Sequence, residues 1–215
     1  MSEFPVLSRI DERLWWIRLV RLGFAALGAA ALILLPIRQA DVAGFTLGNY
    51  LSYFTVLSNI AAVCVLTVGA VFAPESVVWQ WIRGAATTCM AITGIVYALL
   101  LSGIDVNLNI EWINSVLHRV LPLVLLVDWI VVRPRRLPAW SWWSWLAIPL
   151  VYGVYTLTRG TVVDWYPYPF IDPRAQGYLS MTMSMIVIVI GMAGLAFAVS
   201  WLGTRLPWRT AESTG

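Results

Sequence analysis

Long apolar runs dominate the chain and predict helices that cross a membrane. Four runs carry no charged side chain: 42–74, 84–104, 137–158 and 175–204. A helix needs about 20 apolar residues to cross a bilayer, and its backbone polar groups must pair within the segment. With two further apolar runs, we predict an all-α polytopic membrane protein, a bundle of six transmembrane helices. The predicted spans are 14–37, 50–73, 78–103, 112–132, 138–158 and 176–204.

The arginines set the predicted orientation of this bundle. All fourteen basic residues are arginines; ten flank the side that holds both termini, and three flank the other side. Basic residues concentrate in cytoplasmic loops. We therefore expect both termini in the cytoplasm, with a cytoplasmic segment at 1–13 and a short tail at 205–215. The expected location is the plasma membrane, crossed several times.

Composition narrows the possible functions. The chain is 60% hydrophobic and 12% charged, which excludes an ordinary soluble domain. One His and two Cys are too few for a disulfide scaffold or a metal site built from several such residues. Scattered basic residues disfavour nucleic acid, and no nucleotide-binding motif is present. We expect no metal, no cofactor and no nucleic acid; the predicted partner is a membrane lipid or fatty ester.

Tyrosines gather at the end of the bundle predicted to face outward, whereas eleven of the thirteen tryptophans map to the cytoplasmic edge. Tryptophan there is typical of an interfacial anchor. Four tyrosines lie a turn or more inside the bundle, where a hydroxyl needs a partner. They are Tyr53, Tyr97, Tyr152 and Tyr155. Two interpretations stay open: ordinary packing, or a polar, outward-opening chamber in which these tyrosines bind a substrate.

The fourth predicted span carries charged side chains, which are costly in lipid and usually face the bundle interior. Asp128 lies near the cytoplasmic end, and we expect a structural ion pair with Arg83, Arg18 or Arg21. Arg119 lies near the outer end. It can extend to the headgroups or hold the carboxylate or phosphate of a bound lipid.

A hydroxyl and an imidazole share one predicted depth. Counted from the outer ends of their helices, Thr55 lies about 7 Å and His118 about 9 Å into the membrane, at 1.5 Å per residue. Neutral imidazole can take a proton from a hydroxyl and make it a nucleophile. Ser58, Asn59 and Asn114 lie on the same faces and are candidates to orient the pair or to stabilise an oxyanion, and a Tyr hydroxyl is a further candidate for the oxyanion. We predict a Thr55–His118 dyad.

A stiff segment, WYPYPFID at 165–172, joins the last two spans. Its prolines cannot continue a helix, so we expect a structural lid containing Tyr168 and Asp172. A second interpretation is that this segment caps a lipid entry, with Asp172 or Arg159 fixing its position.

Four segments resemble one known family: NYLSYFTVLSN (49–59), TGIVYALLL (93–101), HRVLPLVLLVDW (118–129) and WYPYPFID. Together they make nearly the whole chain similar to the bacterial Pr-six-Pr family of six-pass integral membrane proteins. That family is distantly similar to the androgen-induced and FAR-17a type membrane proteins of eukaryotes, threonine hydrolases that cleave fatty acid esters of hydroxy fatty acids. The resemblance implies Thr55 as nucleophile and His118 as base.

The sequence is therefore compatible with two functions. The first is an intramembrane lipid-ester hydrolase that uses a Thr/His dyad on fatty acid esters. The second is a non-enzymatic six-helix membrane protein that binds or transports a small amphiphile through an outward-facing, Tyr-rich cavity.

Overall fold

A computed structural model describes residues 14–102, 110–134, 137–138 and 140–204. Every regular element in these ranges is helical. Six helices are long and apolar enough to cross a membrane, which confirms the predicted six-helix bundle. The predicted cytoplasmic segments 1–13 and 205–215 lie outside the described residues.

Seven helices are numbered here in chain order, the second of them short. They are α1 Trp15–Gln39, α2 Leu47–Tyr50, α3 Phe54–Val71, α4 Val77–Leu101, α5 Glu111–Val131, α6 Ser141–Val163 and α7 Pro173–Thr204. A 3₁₀ turn, Pro169–Ile171, precedes α7. Six crossings place residues 14 and 204 on one side of the bundle, which we call the terminal side. The opposite side is called the tyrosine side.

The observed helix ends differ from the predicted ones mainly at α3 and α6. The second span begins at Phe54 rather than near 50, because Leu47–Tyr50 forms a separate turn that Thr46 caps through the Asn49 N–H. The fifth span begins at Ser141 and continues to Val163, five residues beyond the predicted end. Hydrophobicity alone marks neither of these ends, because the run 42–74 continues through the start of α3 and α6 continues past Arg159, where the run 137–158 stops.

Helix α4 is the centre of the bundle and packs against α3, α5, α6 and α7. Small residues allow this close approach. A Cβ atom at Gly84 would lie 2.1 Å from the Trp145 ring, so the indole occupies the space that a side chain would take. Trp145 and Trp129 are fully buried, edge to face, with ring centroids 5.9 Å apart. These two tryptophans belong to the core rather than to an interfacial belt.

An ionic cluster ties the helices together on the terminal side. Asp128 of α5 accepts from Arg21 of α1 at 2.7 and 3.1 Å, and from Arg83 of α4 at 2.8 Å. The side chains of both arginines are at most 3% exposed. The predicted ion pair of Asp128 is therefore present with two of its three candidates. The third, Arg18, instead donates to the Ala70 and Val71 carbonyls at the end of α3.

Substitution of Asp128 by Asn is expected to lower the free energy of unfolding by about 3–5 kcal/mol, because it leaves two buried guanidinium groups without their counter-charge. Chemical unfolding in detergent measures this change. The matched control is Asp164→Asn, since Asp164 pairs with Arg174 on the exposed surface and surface pairs contribute little. Equal unfolding curves for Asp128→Asn and wild type would contradict the structural role.

Substitution of Gly84 by Ala is expected to destabilise the bundle by about 1–3 kcal/mol, because the added methyl group overlaps the Trp145 ring. Gly23 of α1 provides the control, since nothing lies within 4 Å of a Cβ built there. Gly23→Ala should leave the midpoint of unfolding unchanged or raise it, because alanine favours a helix. A Gly84→Ala protein as stable as wild type would contradict the tight contact between α4 and the Trp145 ring of α6.

Candidate active site

Thr55 and His118 meet at the tyrosine side of the bundle. The Thr55 Oγ1 atom lies 3.3 Å from His118 Nε2. Thr55 is the second residue of α3, and His118 lies in the middle of α5. Both side chains are buried, at 9% and 7% exposure. The structure brings the two predicted residues into contact, although Thr55 lies nearer the helix start than expected because α3 begins at Phe54.

A π-helical segment, Val116–Val120, positions the imidazole within α5. The wider turn of a π-helix rearranges backbone hydrogen bonds, and such segments are frequent at functional sites. The His118 Nδ1 atom lies 3.1 Å from the Asn114 carbonyl oxygen. A carbonyl can only accept, so Nδ1 carries the proton in this bond. Nε2 of the neutral ring is then an acceptor, and the Thr55 hydroxyl donates to it.

Tyr97 holds the imidazole from its other side. Its ring stacks on His118 with centroids 4.2 Å apart and an interplanar angle of 23°. Its hydroxyl accepts a 2.7 Å bond from Asn114 Nδ2. Tyr97 begins a second π-helical segment, Tyr97–Leu101, at the end of α4. Asn114 thus contacts both the imidazole and the ring that stacks on it, as the predicted orienting role requires, whereas Tyr97 packs on His118 and does not line the apolar cavity beside Thr55.

Asn59 and Ser58 both bond to the main chain around Thr55. Asn59 Nδ2 donates to the Thr55 carbonyl at 2.7 Å and to the Leu117 carbonyl at 3.0 Å. Ser58 donates to the Thr55 carbonyl and lies 2.8 Å from the Thr93 hydroxyl. The arrangement favours the orienting role predicted for both residues over an oxyanion role. Asn59 joins α3 directly to the residue before His118.

Two tyrosine hydroxyls occupy the start of α3. The N-cap residue Tyr53 makes no side-chain cap hydrogen bond, so the first N–H groups need other acceptors. The Phe54 N–H donates to the Tyr152 hydroxyl at 3.1 Å, and the Thr55 N–H donates to the Tyr168 hydroxyl at 3.4 Å. The sequence predicted Tyr168 as part of a loop that forms a structural lid or caps a lipid entry. The structure brings it to the main chain of the candidate nucleophile.

An apolar cavity of about 240 Å³ opens beside Thr55. It lies between the start of α3, the tyrosine-side half of α4, α6, α7 and the loop before α7. Aliphatic side chains form most of its wall, and its polar lining consists of Thr55, Thr93, Tyr152, Thr156 and Tyr168. Of the two interpretations of the buried tyrosines, this cavity favours ordinary packing, because its wall is mainly apolar. Only two of the eight tyrosines line it, because the others pack on protein or face outward.

Three residues predicted to bind a substrate lie elsewhere. Tyr53 packs edge to face on Trp165. Tyr155 is 43% exposed, with its hydroxyl 2.9 Å from the Ser52 hydroxyl. Arg119 is exposed and lies over the Tyr97 ring at 5.8 Å. None of the three lines the cavity beside Thr55.

The loop 165–172 covers the tyrosine side of the bundle. Asp172 accepts from the Arg174 N–H at 2.9 Å, which caps the start of α7, and from the Arg174 guanidinium. Arg159 lies over the Trp165 ring at 5.2 Å. Tyr166 occupies the space beside Gly160, where a Cβ atom would lie 2.1 Å from its ring. Both residues predicted to fix the loop therefore contact it or its end.

A second cavity, about 410 Å³, lies between α3, α4 and α6 and was not foreseen. It shares Phe54 and Tyr152 with the first cavity, and these two rings lie 5.0 Å apart.

Thr93 was not predicted to line the first cavity. Its position one helical turn before Tyr97 on α4 is the sequence signal that marks it.

The part of the chain that the structure describes contains no group of three His, Cys, Asp or Glu side chains arranged to hold a metal ion. Comparison of the chain with protein-family models, curated proteins and solved structures gave no match. The resemblance to the Pr-six-Pr family therefore stays a prediction, as do the catalytic roles of Thr55 and His118.

Substitution of Asn59 by Leu is expected to cost about 1–3 kcal/mol of stability, because the Leu117 carbonyl loses a buried donor. The measurement is chemical unfolding in detergent. Thr67→Val on the same helix is the control, since the exposed Thr67 hydroxyl bonds only its own helix at Val63, and a change within about 0.5 kcal/mol is expected. An Asn59→Leu protein as stable as this control would exclude the proposed bridge between α3 and α5.

Proposed function

We propose that the protein is an intramembrane hydrolase of lipid esters that acts through Thr55 and His118. The contact that carries the proposal is the 3.3 Å separation between Thr55 Oγ1 and His118 Nε2, at the end of an apolar cavity that Thr55 lines. The bond from Nδ1 to the Asn114 carbonyl supports it, because this bond leaves Nε2 as the proton acceptor. A third, carboxylate member of a triad is not needed for a dyad of this kind.

The reaction proceeds in two balanced steps. Thr55 Oγ1 attacks the ester carbonyl carbon while its proton passes to His118 Nε2. The tetrahedral intermediate collapses, the bond to the alcohol oxygen breaks, and the alcohol leaves with the proton from His118. Water then attacks the acyl-threonine ester while His118 takes its proton. The second collapse releases a carboxylic acid and returns the proton to the Thr55 oxygen.

Fatty acid esters, such as fatty acid esters of hydroxy fatty acids, are the substrate class that fits this site best. The aliphatic wall of the cavity suits an acyl chain, and the hydroxyl groups of Thr55 and its polar neighbours in the wall suit an ester group. The proposed orientation places the terminal side in the cytoplasm of the plasma membrane, as the distribution of arginines indicates. A fatty ester would then enter from the outer leaflet, where the loop 165–172 lies over the cavity.

Labelling with a fluorescent fluorophosphonate in detergent tests the nucleophile. Wild type and Thr55→Ser should be labelled, since both retain a hydroxyl, and Thr55→Ala should not. His118→Ala should lose about 10²-fold to 10⁴-fold in the hydrolysis rate of a fatty ester in mixed micelles, the usual contribution of a general base. Thr87→Val is the matched control, since the buried Thr87 hydroxyl bonds its own helix at Arg83 and lines neither cavity.

Two results would overturn this function. Labelling that persists in a folded Thr55→Ala protein would exclude Thr55 as nucleophile. A wild-type protein that neither reacts with the probe nor hydrolyses esters, but binds a fluorescent fatty ester saturably, would favour the non-enzymatic amphiphile-binding protein.

A further inference from the structure

Tyr168 lies at the candidate nucleophile although the chain brings it from a distant loop. Its hydroxyl accepts from the Thr55 N–H at 3.4 Å and also contacts the Thr55 side chain and the Tyr152 hydroxyl. Thr55, Tyr152 and Tyr168 all line the apolar cavity. An ester carbonyl that is within reach of Thr55 Oγ1 therefore lies beside the Tyr168 phenol.

We propose that Tyr168 is a catalytic residue whose O–H, together with the Thr55 backbone N–H, donates to the oxyanion of the tetrahedral intermediate. The inference rests on the proposed hydrolase function and adds the group that stabilises its transition state. Donors aimed at the position where charge develops are usually the largest contribution to catalysis of acyl transfer.

The other polar groups near Thr55 are already committed to the protein. Asn59 donates both its bonds to main-chain carbonyls, and Ser58 donates to the Thr55 carbonyl. The Tyr152 hydroxyl donates to the Ser52 carbonyl at 2.8 Å. By contrast, the bond between the Thr55 N–H and Tyr168 is long, and a hydrogen bond of 3.4 Å is weak. An oxyanion can accept hydrogen bonds from this N–H and from the phenol O–H at little cost.

The proposed step conserves every proton. As the Thr55 oxygen bonds to carbon, the carbonyl π electrons move to oxygen, and Tyr168 donates a hydrogen bond without transferring its proton. Burial raises the pKa of the Tyr168 phenol, so the group remains a protonated donor at neutral pH. When the C–O bond to the alcohol breaks, the electron pair returns to the carbonyl and Tyr168 again bonds its protein neighbours.

Steady-state hydrolysis of one fatty ester by wild type, Tyr168→Phe and Tyr166→Phe tests the inference. Tyr168→Phe removes only the hydroxyl and is expected to lower kcat by about 10²-fold to 10³-fold, the usual loss for one oxyanion donor, with KM changed less than about threefold. Tyr166 belongs to the same loop but packs against Gly160 and Arg174, outside the cavity. Tyr166→Phe should keep the wild-type kcat.

A trifluoromethyl ketone with the same acyl chain separates catalysis from packing. It adds to Thr55 as an oxyanion, so its affinity for Tyr168→Phe should fall by about the same factor as kcat. The corresponding unreactive ether, which forms no oxyanion, should bind both proteins equally. An increase in KM or in the Kd of the ether, with kcat unchanged, would overturn the inference and make Tyr168 a substrate-packing residue.

A third variant separates loss of the donor from misfolding of the protein. Tyr168→3-fluorotyrosine keeps the shape of the side chain and makes its hydroxyl a stronger acid. A donor role predicts a changed kcat at constant KM, whereas an unchanged kcat would overturn the inference. Wild type that shows neither hydrolysis nor covalent labelling would overturn the proposed function together with this inference. Wild type that shows both, beside a fully active Tyr168→Phe, would overturn the inference alone.

Discussion

The pairing of polar groups inside a hydrocarbon environment is the constraint on which this structure depends. Lipid offers no hydrogen bonds, so each helix end and each buried polar side chain must find its partner within the protein. The ends of α3 illustrate this. Arg18 supplies donors to its last carbonyls, and the hydroxyls of Tyr152 and Tyr168 accept from its first N–H groups. The same contacts that complete the helix also place a phenol beside Thr55.

The two sides of the bundle meet this constraint with different chemistry. On the terminal side, Arg21 and Arg83 share the carboxylate of Asp128 and tie α1, α4 and α5 together. On the tyrosine side, the bonds around Thr55 and His118 are made by hydroxyls, amides and the imidazole, while the ion pairs of Arg174 lie at the surface. Asn59 is buried there with its amide donors shared between α3 and α5. The bonds around His118 suit the neutral imidazole that the proposed hydrolysis requires.

Much of the fold could be predicted from the sequence, because an apolar run of membrane length has few other uses. The contact between Thr55 and His118 also followed from counting residues down two helices. The groups that surround these two residues could not be predicted in this way. Nothing in the apolar pattern marks the extra residue of a π-helical turn, so the stacking of Tyr97 on His118 could not be foreseen. The position of Tyr168 depends on how the loop 165–172 folds back, and sequence spacing carries no information on that return.

The π-helical segment of α5 has a consequence for how the helix is divided. Successive residues of an α-helix turn by about 100°, and one added residue in a turn rotates everything beyond it by that angle relative to a regular helix. His118 lies within this π-helical segment, and Asp128 lies in the regular α-helical part that follows it. The helix presents its imidazole to α3 and its carboxylate to α1 and α4. A regular α-helix of the same sequence would hold these two side chains at a different angle to each other. The π-helical turn therefore sets the direction of His118 relative to that of Asp128.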